Sequence, residues 1–222
     1  PRRLIQIDAE SHLDCRAALP GMPMAAALSA SHLAVLRLPP SVRRLYIARD
    51  VDSAGTRAAT AQAELASSAG IEVLTPDFGG QPELLEQVFE ARPTVFNHNL
   101  ETCERLTREI RSGADYRRSL AVLAAAAADG GGVTKSGIMV GLGETDAEVE
   151  EMVRELRAAG VEILTIGQYL PPSREHRPLD RYVPPETFQA WARLARELGF
   201  AAVASAPMVR SSYRAAAMAE QA

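Results

Sequence analysis

Thiols are scarce in this chain: 222 residues carry two cysteines, Cys15 and Cys103, far apart and in no CxxC or other ligand-like spacing. That argues against a disulfide framework and against a complete cysteine-built metal site, and it leaves both as small packing residues. Lysine is scarcer still. Lys135 is the only one, so arginine supplies nearly all the positive charge. A net charge of −4 and a pI near 5.7 give no overall field for nucleic acid or an anionic membrane. No apolar run approaches the roughly 18 residues of a spanning helix. The opening Pro1-Arg-Arg-Leu-Ile-Gln-Ile-Asp8 lacks a signal-like apolar core, so no membrane partner and a cytoplasmic location are expected.

What the chain does have is the material of a folded α/β protein: 47% hydrophobic and 23% charged residues, too apolar for a disordered segment. Short apolar runs alternate with helical spacing. Strands are expected at Arg3 to Ala9, Met24 to Leu28, Val42 to Ala48, Ile71 to Leu74, Thr94 to Asn97, Thr134 to Val140, Ile163 to Gln168 and Ala201 to Ala204. Helices are expected at Leu13 to Leu19, Ser31 to Leu36, Ala54 to Ser68, Pro82 to Ala91, Tyr116 to Ala128 and Asp146 to Ala159, and a last one opens at Pro184-Pro185-Glu186 and runs to about Leu198, where Gly199 can end it. This alternation predicts βα units and a largely parallel sheet. In the Asp146 helix, Val149, Met152, Val153 and Leu156 share one face and acids occupy the first turn. The proline-rich stretch from Tyr169 to Pro185 is long for a loop, and long ordered loops are usually functional.

Polar side chains gather where strands end, which is where parallel α/β folds present their ligand-binding groups. Asn97-His-Asn-Leu-Glu-Thr102 follows a buried strand; either it is a ligand-binding loop or its Asn99 and Thr102 simply cap a helix. In Thr134-Lys-Ser-Gly-Ile-Met-Val-Gly-Leu-Gly-Glu-Thr145, Gly141 and Gly143 allow close backbone approach to a ligand. Glu144 can accept hydrogen bonds there, and Thr145 or Asp146 can cap the next helix. An ordinary left-handed turn would use the same glycines. Asp50 and Asp52 stand at alternate positions after a strand and could jointly hold Mg²⁺, or form a solvated turn. Arg210-Ser-Ser-Tyr-Arg214 reads by itself as an exposed polar tail.

Taken in order, seven strings resemble the C-terminal half of lipoyl synthase, a radical S-adenosylmethionine family, from about residue 70 onward. They are Gly70-Ile-Glu-Val-Leu-Thr-Pro-Asp-Phe78, Phe96-Asn-His-Asn-Leu-Glu-Thr102, Gly113-Ala-Asp-Tyr-Arg-Arg-Ser-Leu120, Thr134 to Thr145, Leu164-Thr-Ile-Gly-Gln-Tyr-Leu170, Arg181-Tyr-Val-Pro-Pro185 and Val209-Arg-Ser-Ser-Tyr213. The resemblance implies a partial parallel (β/α) barrel of radical SAM type. It implies S-adenosylmethionine and 4Fe-4S clusters as cofactors, an octanoylated lipoyl-carrier domain as partner, and sulfur insertion as the reaction. It places Asn97, Asn99, Glu101, Lys135, Ser136, Gly141, Gly143, Glu144, Gln168 and Tyr169 at the cofactor cleft, and Ser211 or Ser212 as a cluster ligand. The family hangs both clusters on cysteine triplets, which this chain does not have, so inactivity of this chain alone is expected.

Residues 1–70 resemble something else. Leu19-Pro-Gly-Met-Pro-Met24 and Leu38-Pro-Pro-Ser-Val-Arg-Arg-Leu-Tyr-Ile-Ala-Arg-Asp-Val-Asp52 are similar to a Toprim domain of the primase and plasmid-replication kind. That likeness implies Mg²⁺ at Asp50 and Asp52 and nucleic acid as an alternative partner, with Ile7 where the family has its glutamate and Glu10 three places on. The expected organisation is therefore a Toprim-like α/β segment over 1–70 and a lipoyl synthase-like partial barrel over 71–222. The two meet near Ala69-Gly-Ile-Glu-Val-Leu74, as in a chimera or a recombined reading frame.

Overall fold

A computed structural model describes residues 5–7, 44–48 and 70–222. The helices expected at Leu13 to Leu19, Ser31 to Leu36 and Ala54 to Ser68, the strand at Met24 to Leu28, and Cys15, Asp50 and Asp52 lie outside the described residues. Two compact units divide the chain between Asn97 and His98.

In the first unit, four strands run parallel in chain order: β1 (Ile5–Ile7), β2 (Arg44–Ala48), β3 (Gly70–Leu74) and β4 (Val95–Asn97). The register aligns Ile5 with Leu45, Leu45 with Ile71 and Val73 with Phe96. Parallel neighbours need a crossover. Between β3 and β4 it is a 3-10 turn at Phe78–Gly80 and helix α1 (Pro82–Glu90), whose proline sits at the first helical position, where a missing N–H costs nothing. Leu85 and Val88 of α1 are buried, and Phe89 meets Phe96 edge-on with ring centroids 5.4 Å apart.

The second unit carries three more parallel strands, β5 (Val133–Val140), β6 (Ile163–Gln168) and β7 (Ala202–Ser205), again in chain order. β6 is buried along its whole length, its Thr165 and Gln168 included, as expected of a strand covered on both faces. Five helices pack around the strands: α2 (Glu104–Ile110), α3 (Tyr116–Asp129), α4 (Asp146–Ala158), α5 (Pro185–Glu197) and α6 (Ala215–Ala219). α4 turns Val149, Met152, Val153 and Leu156 inward, the same four residues its spacing singled out. α5 buries Phe188 and Trp191, in edge-on contact at 5.7 Å, and stops where Gly199 takes φ +89°.

Two helices depart from expectation. α2 has only Leu106 buried at a regular apolar position beside Thr107, so its period is too weak to announce a helix. Packing forms it instead. α6 follows the Arg210–Arg214 segment, where no helix was expected; its Met218 joins Ile163 and Ala202 in a small apolar cluster.

α4 opens with a capping box: the Thr145 hydroxyl accepts from the Glu148 N–H, and the Glu148 carboxylate accepts from the Thr145 N–H at 2.8 Å. Arg105 from α2 doubles this cap, binding both Glu148 oxygens at 2.9 Å and the Gly143 carbonyl at 2.9 Å. The bonds from Arg105 and the Thr145 N–H hold the Glu148 carboxyl down at about 2, from an ordinary 4.5. A folded-state value below the unfolded one means stability that is full above about pH 4.5 and lost as pH falls toward 2. Urea midpoints measured across this window should fall in the wild type, and Glu148→Gln should show a shallower fall together with a lower plateau at neutral pH.

A candidate ligand pocket at the strand ends

Beyond β4 the chain stays extended. Within the second unit, residues 98–101 run beside β5: the His98 N–H donates to the Lys135 carbonyl (3.1 Å), the Glu101 N–H to the Gly137 carbonyl (3.0 Å), and the Met139 N–H to the Glu101 carbonyl (2.7 Å). The Leu100 N–H donates to Ser136 Oγ at 3.2 Å. These bonds hold Glu101 at φ +70°, a left-handed backbone that a glutamate adopts only at a cost of about 1 kcal/mol or more.

That turn borders a cavity of about 480 Å³. Ile110, Ile138, Met139, Leu170 and Val209 provide apolar wall, while Asn99, Glu101, Arg111, Thr165, His176, Arg177, Arg210 and Ser211 bring polar groups. Gly137 forms part of the floor because nothing larger fits: a Cβ there would stand 2.7 Å from Thr165 Oγ1 and 2.9 Å from Asn99 Oδ1. Gly167 serves the same end, since a Cβ there would meet the Val209 carbonyl. Asn99 Oδ1 is shielded from water and has no hydrogen-bond partner among the described residues. Such an orphaned acceptor, on a residue that lines the cavity, is an unfilled hydrogen-bonding position. Burial pushes the Glu101 carboxyl up; the Arg111 charge and a hydrogen bond from Asn99 pull against it.

The expected site residues separate into two groups. Asn99, Glu101, Gln168, Tyr169 and Ser211 come together at the cavity. The others serve elsewhere. Asn97 lies in the first unit and donates to Glu72 Oε1 at 3.0 Å. Lys135 and Ser136 are fully buried in β5. Glu144 accepts from the Gly141 N–H (2.6 Å) and the Leu142 N–H (2.9 Å), so both oxygens shape their own loop. Gly141, at φ +97°, makes room for the Arg181 carbonyl and for Gln168; Gly143 is at φ +109°. Ser212 is not among the lining residues.

Even the pocket residue Gln168 is largely committed to structure. Its amide donates to the Val140, Tyr169 and Arg181 carbonyls and accepts from the Val183 N–H at 2.9 Å, tying the proline-rich loop to β5. Tyr169 donates to the Arg177 carbonyl at 2.9 Å across that loop. The cap expected at Asn99 or Thr102 is also reassigned. Cys103, not Thr102 or Asn99, is the N-cap of α2 and supplies no side-chain bond, and the buried Thr102 hydroxyl is unpartnered. Arg111, Arg177 and His176 had no motif to mark them, since only the folded chain brings them to the same cavity as Glu101.

The family profile for the radical SAM superfamily matches residues 44–156, half of the chain. The chain belongs to the radical SAM superfamily. Lipoyl synthase of Methylococcus capsulatus is 58% identical over 147 residues, covering 65% of this chain and 46% of that protein. The Mycobacterium tuberculosis lipoyl synthase is 53% identical over 167 residues, covering 74% and 53%. The chain thus spans about half the length of the curated relatives it matches. Streptococcus suis SuiB, solved with its precursor peptide SuiA, superposes with TM-score 0.65 at 13% identity over 92% of this chain and 49% of that one, a likeness of fold. A Toprim profile matches residues 5–79, so the two family matches overlap from residue 44 to residue 79. The resemblance expected from about residue 70 is borne out, and the superfamily match reaches back to β2.

Membership in the radical SAM superfamily implies S-adenosylmethionine and a 4Fe-4S cluster. The pocket fits the first: a mostly apolar cavity with an orphaned amide oxygen, a carboxylate and a glycine floor suits an adenosyl group with its hydroxyls. The cysteines do not fit the second. Cys103 is buried with raised thiol pKa, chiefly from burial, and no group of three His, Cys, Asp or Glu side chains among the described residues could hold a metal. Gly137→Ala should cost about 1–2 kcal/mol by overpacking, read from urea unfolding. Adding Thr165→Ala should recover part of that loss if the floor contact is its cause.

Proposed function

We propose that this chain is a lipoyl synthase-like protein of lipoate biosynthesis, acting in the cytoplasm, whose second unit binds S-adenosylmethionine in the pocket at Asn99 and Glu101. The supporting observation is the identity of 53–58% to lipoyl synthases over 146–167 residues. The reaction class is radical sulfur insertion into a protein-bound octanoyl chain, and the partner is the octanoylated lipoyl-carrier domain. When bound, the adenosylmethionine would supply the radical that activates the alkyl chain. Asn99 would orient the ligand through its free amide oxygen, and Glu101 would accept its hydroxyl donors. The glycine floor would let the ligand approach the strand backbone, and Ser211 or Ser212 would stand by as a cluster ligand. Asn97, Lys135, Ser136, Gly141, Gly143 and Glu144 would support the cleft by shaping its loops and strands.

Two cysteines cannot furnish two cysteine triplets, so the chain would bind ligand without completing sulfur insertion alone. The boundary near residue 70 marks the change between the two sequence resemblances. Calorimetric titration with S-adenosylmethionine should give measurable binding, weakened about ten-fold by Asn99→Ala or Glu101→Gln, in line with the loss of one hydrogen bond to a polar ligand. Melting temperatures should barely move. Absence of binding to the wild type would end the cofactor assignment, and lipoyl product made by the purified chain would end the assignment of inactivity.

A second reading has its own observation in the Toprim match over residues 5–79. It would make Asp50 and Asp52 an Mg²⁺ site serving nucleic acid. Under that reading, oligonucleotide binding requires Mg²⁺ and disappears in Asp50→Asn; binding indifferent to both would remove it.

A further inference from the structure

Three arginines line the cavity, and two of them are occupied elsewhere. Arg177 pairs with Glu109 at 2.5 Å and donates to the Leu142 carbonyl at 3.0 Å, which latches the proline-rich loop to α2 and to the turn after β5. Arg210 donates to the Val209 carbonyl at 2.7 Å and to the Pro207 carbonyl at 3.4 Å, bracing its own turn. Arg111 differs from both. It is the C-cap of α2, where its N–H still donates to the Thr107 carbonyl at 2.8 Å while φ −127° and ψ +89° turn the chain out of the helix. From there its guanidinium reaches back to the Asn99 carbonyl at 3.4 Å. That contact falls on the turn that carries Asn99 and Glu101.

We infer that Arg111 is a positioning residue of the pocket: it braces the left-handed Asn99–Glu101 turn from the end of α2 and so presents the Glu101 carboxylate to the cavity's occupant. The backbone bonds to β5 fix where Glu101 leaves the strand, but they do not fix its carboxylate. That group is held by Asn99 and by the charge of Arg111, against the pull of burial toward a neutral acid. His176, Arg177 and Arg210 are the other chargeable groups on the same cavity, from the proline-rich loop and the segment after β7. The two arginines have their guanidinium bonds committed as described, which leaves Arg111 as the cation assigned to this turn. The consequence for binding rests on the ligand assignment made above; the brace itself does not.

The test keeps the two separable. In the full-length chain labelled with carboxyl-¹³C glutamate, the Glu101 resonance is identified by its loss in Glu101→Gln and titrated in three backgrounds. Arg111→Gln should raise its midpoint by about 1 pH unit, and Arg111→Lys should return at least half of that shift, since the ammonium restores charge but not the fork. An unchanged midpoint in Arg111→Gln overturns the inference whether or not any ligand binds. Titration with S-adenosylmethionine gives the second readout. Arg111→Gln should weaken binding several-fold at neutral pH, with the deficit narrowing as pH rises and Glu101 ionises. A deficit that stays constant with pH, or a Lys variant no better than Gln, would show a merely structural role and would overturn it too. If the wild type binds no S-adenosylmethionine, the ligand assignment fails while the carboxyl titration still decides the brace.

Discussion

The hydrogen bonds that lay residues 98–101 along β5 are the constraint on which the pocket depends. The Glu101 N–H and C=O both engage β5, at Gly137 and Met139, so the backbone of the turn cannot drift. Because the backbone is pinned, Asn99 and Glu101 reach the cavity from a rigid strand edge. This is the kind of support that holds a binding geometry tightly. The cost is a glutamate in left-handed backbone, an unfavourable local choice made tolerable by the surrounding bonds.

The same rigidity spreads outward through two polar joints. Gln168 connects β6 with the end of β5 and with the Arg181–Val183 backbone, and Arg105 connects α2 with the capped start of α4. Buried amides bonded on both ends specify one arrangement, because any alternative leaves polar atoms unsatisfied. Gly137 and Gly167 matter for the opposite reason. At both positions a side chain would occupy space that a neighbour already fills.

The radical SAM superfamily match covers half the chain, and lipoyl synthases match it at more than 50% identity, yet iron–sulfur ligation calls for clustered thiolates that two separated cysteines do not form. A cavity survives through glycines, backbone bonds and packing, none of which depends on a thiol.

Strand and helix order from Ile71 onward was legible because period and punctuation agree there. β6 was found at Ile163–Gln168 as expected, α4 buried the four residues its spacing named, and Pro185 and Gly199 bracketed α5. α2 and α6 were not legible, since each is short and owes its form to packing rather than to its own pattern. By itself the sequence determined the α/β class, the family resemblance and the shortage of thiols, all of which are local or compositional properties. Only the tertiary structure decided that Glu144 and most of Gln168 are spent on loops, that Asn99 keeps an unpartnered oxygen, and that Arg111 stands beside Glu101. Those outcomes depend on which groups meet across the fold, and hydrogen-bond partners distant in the chain leave no mark on the spacing of either one.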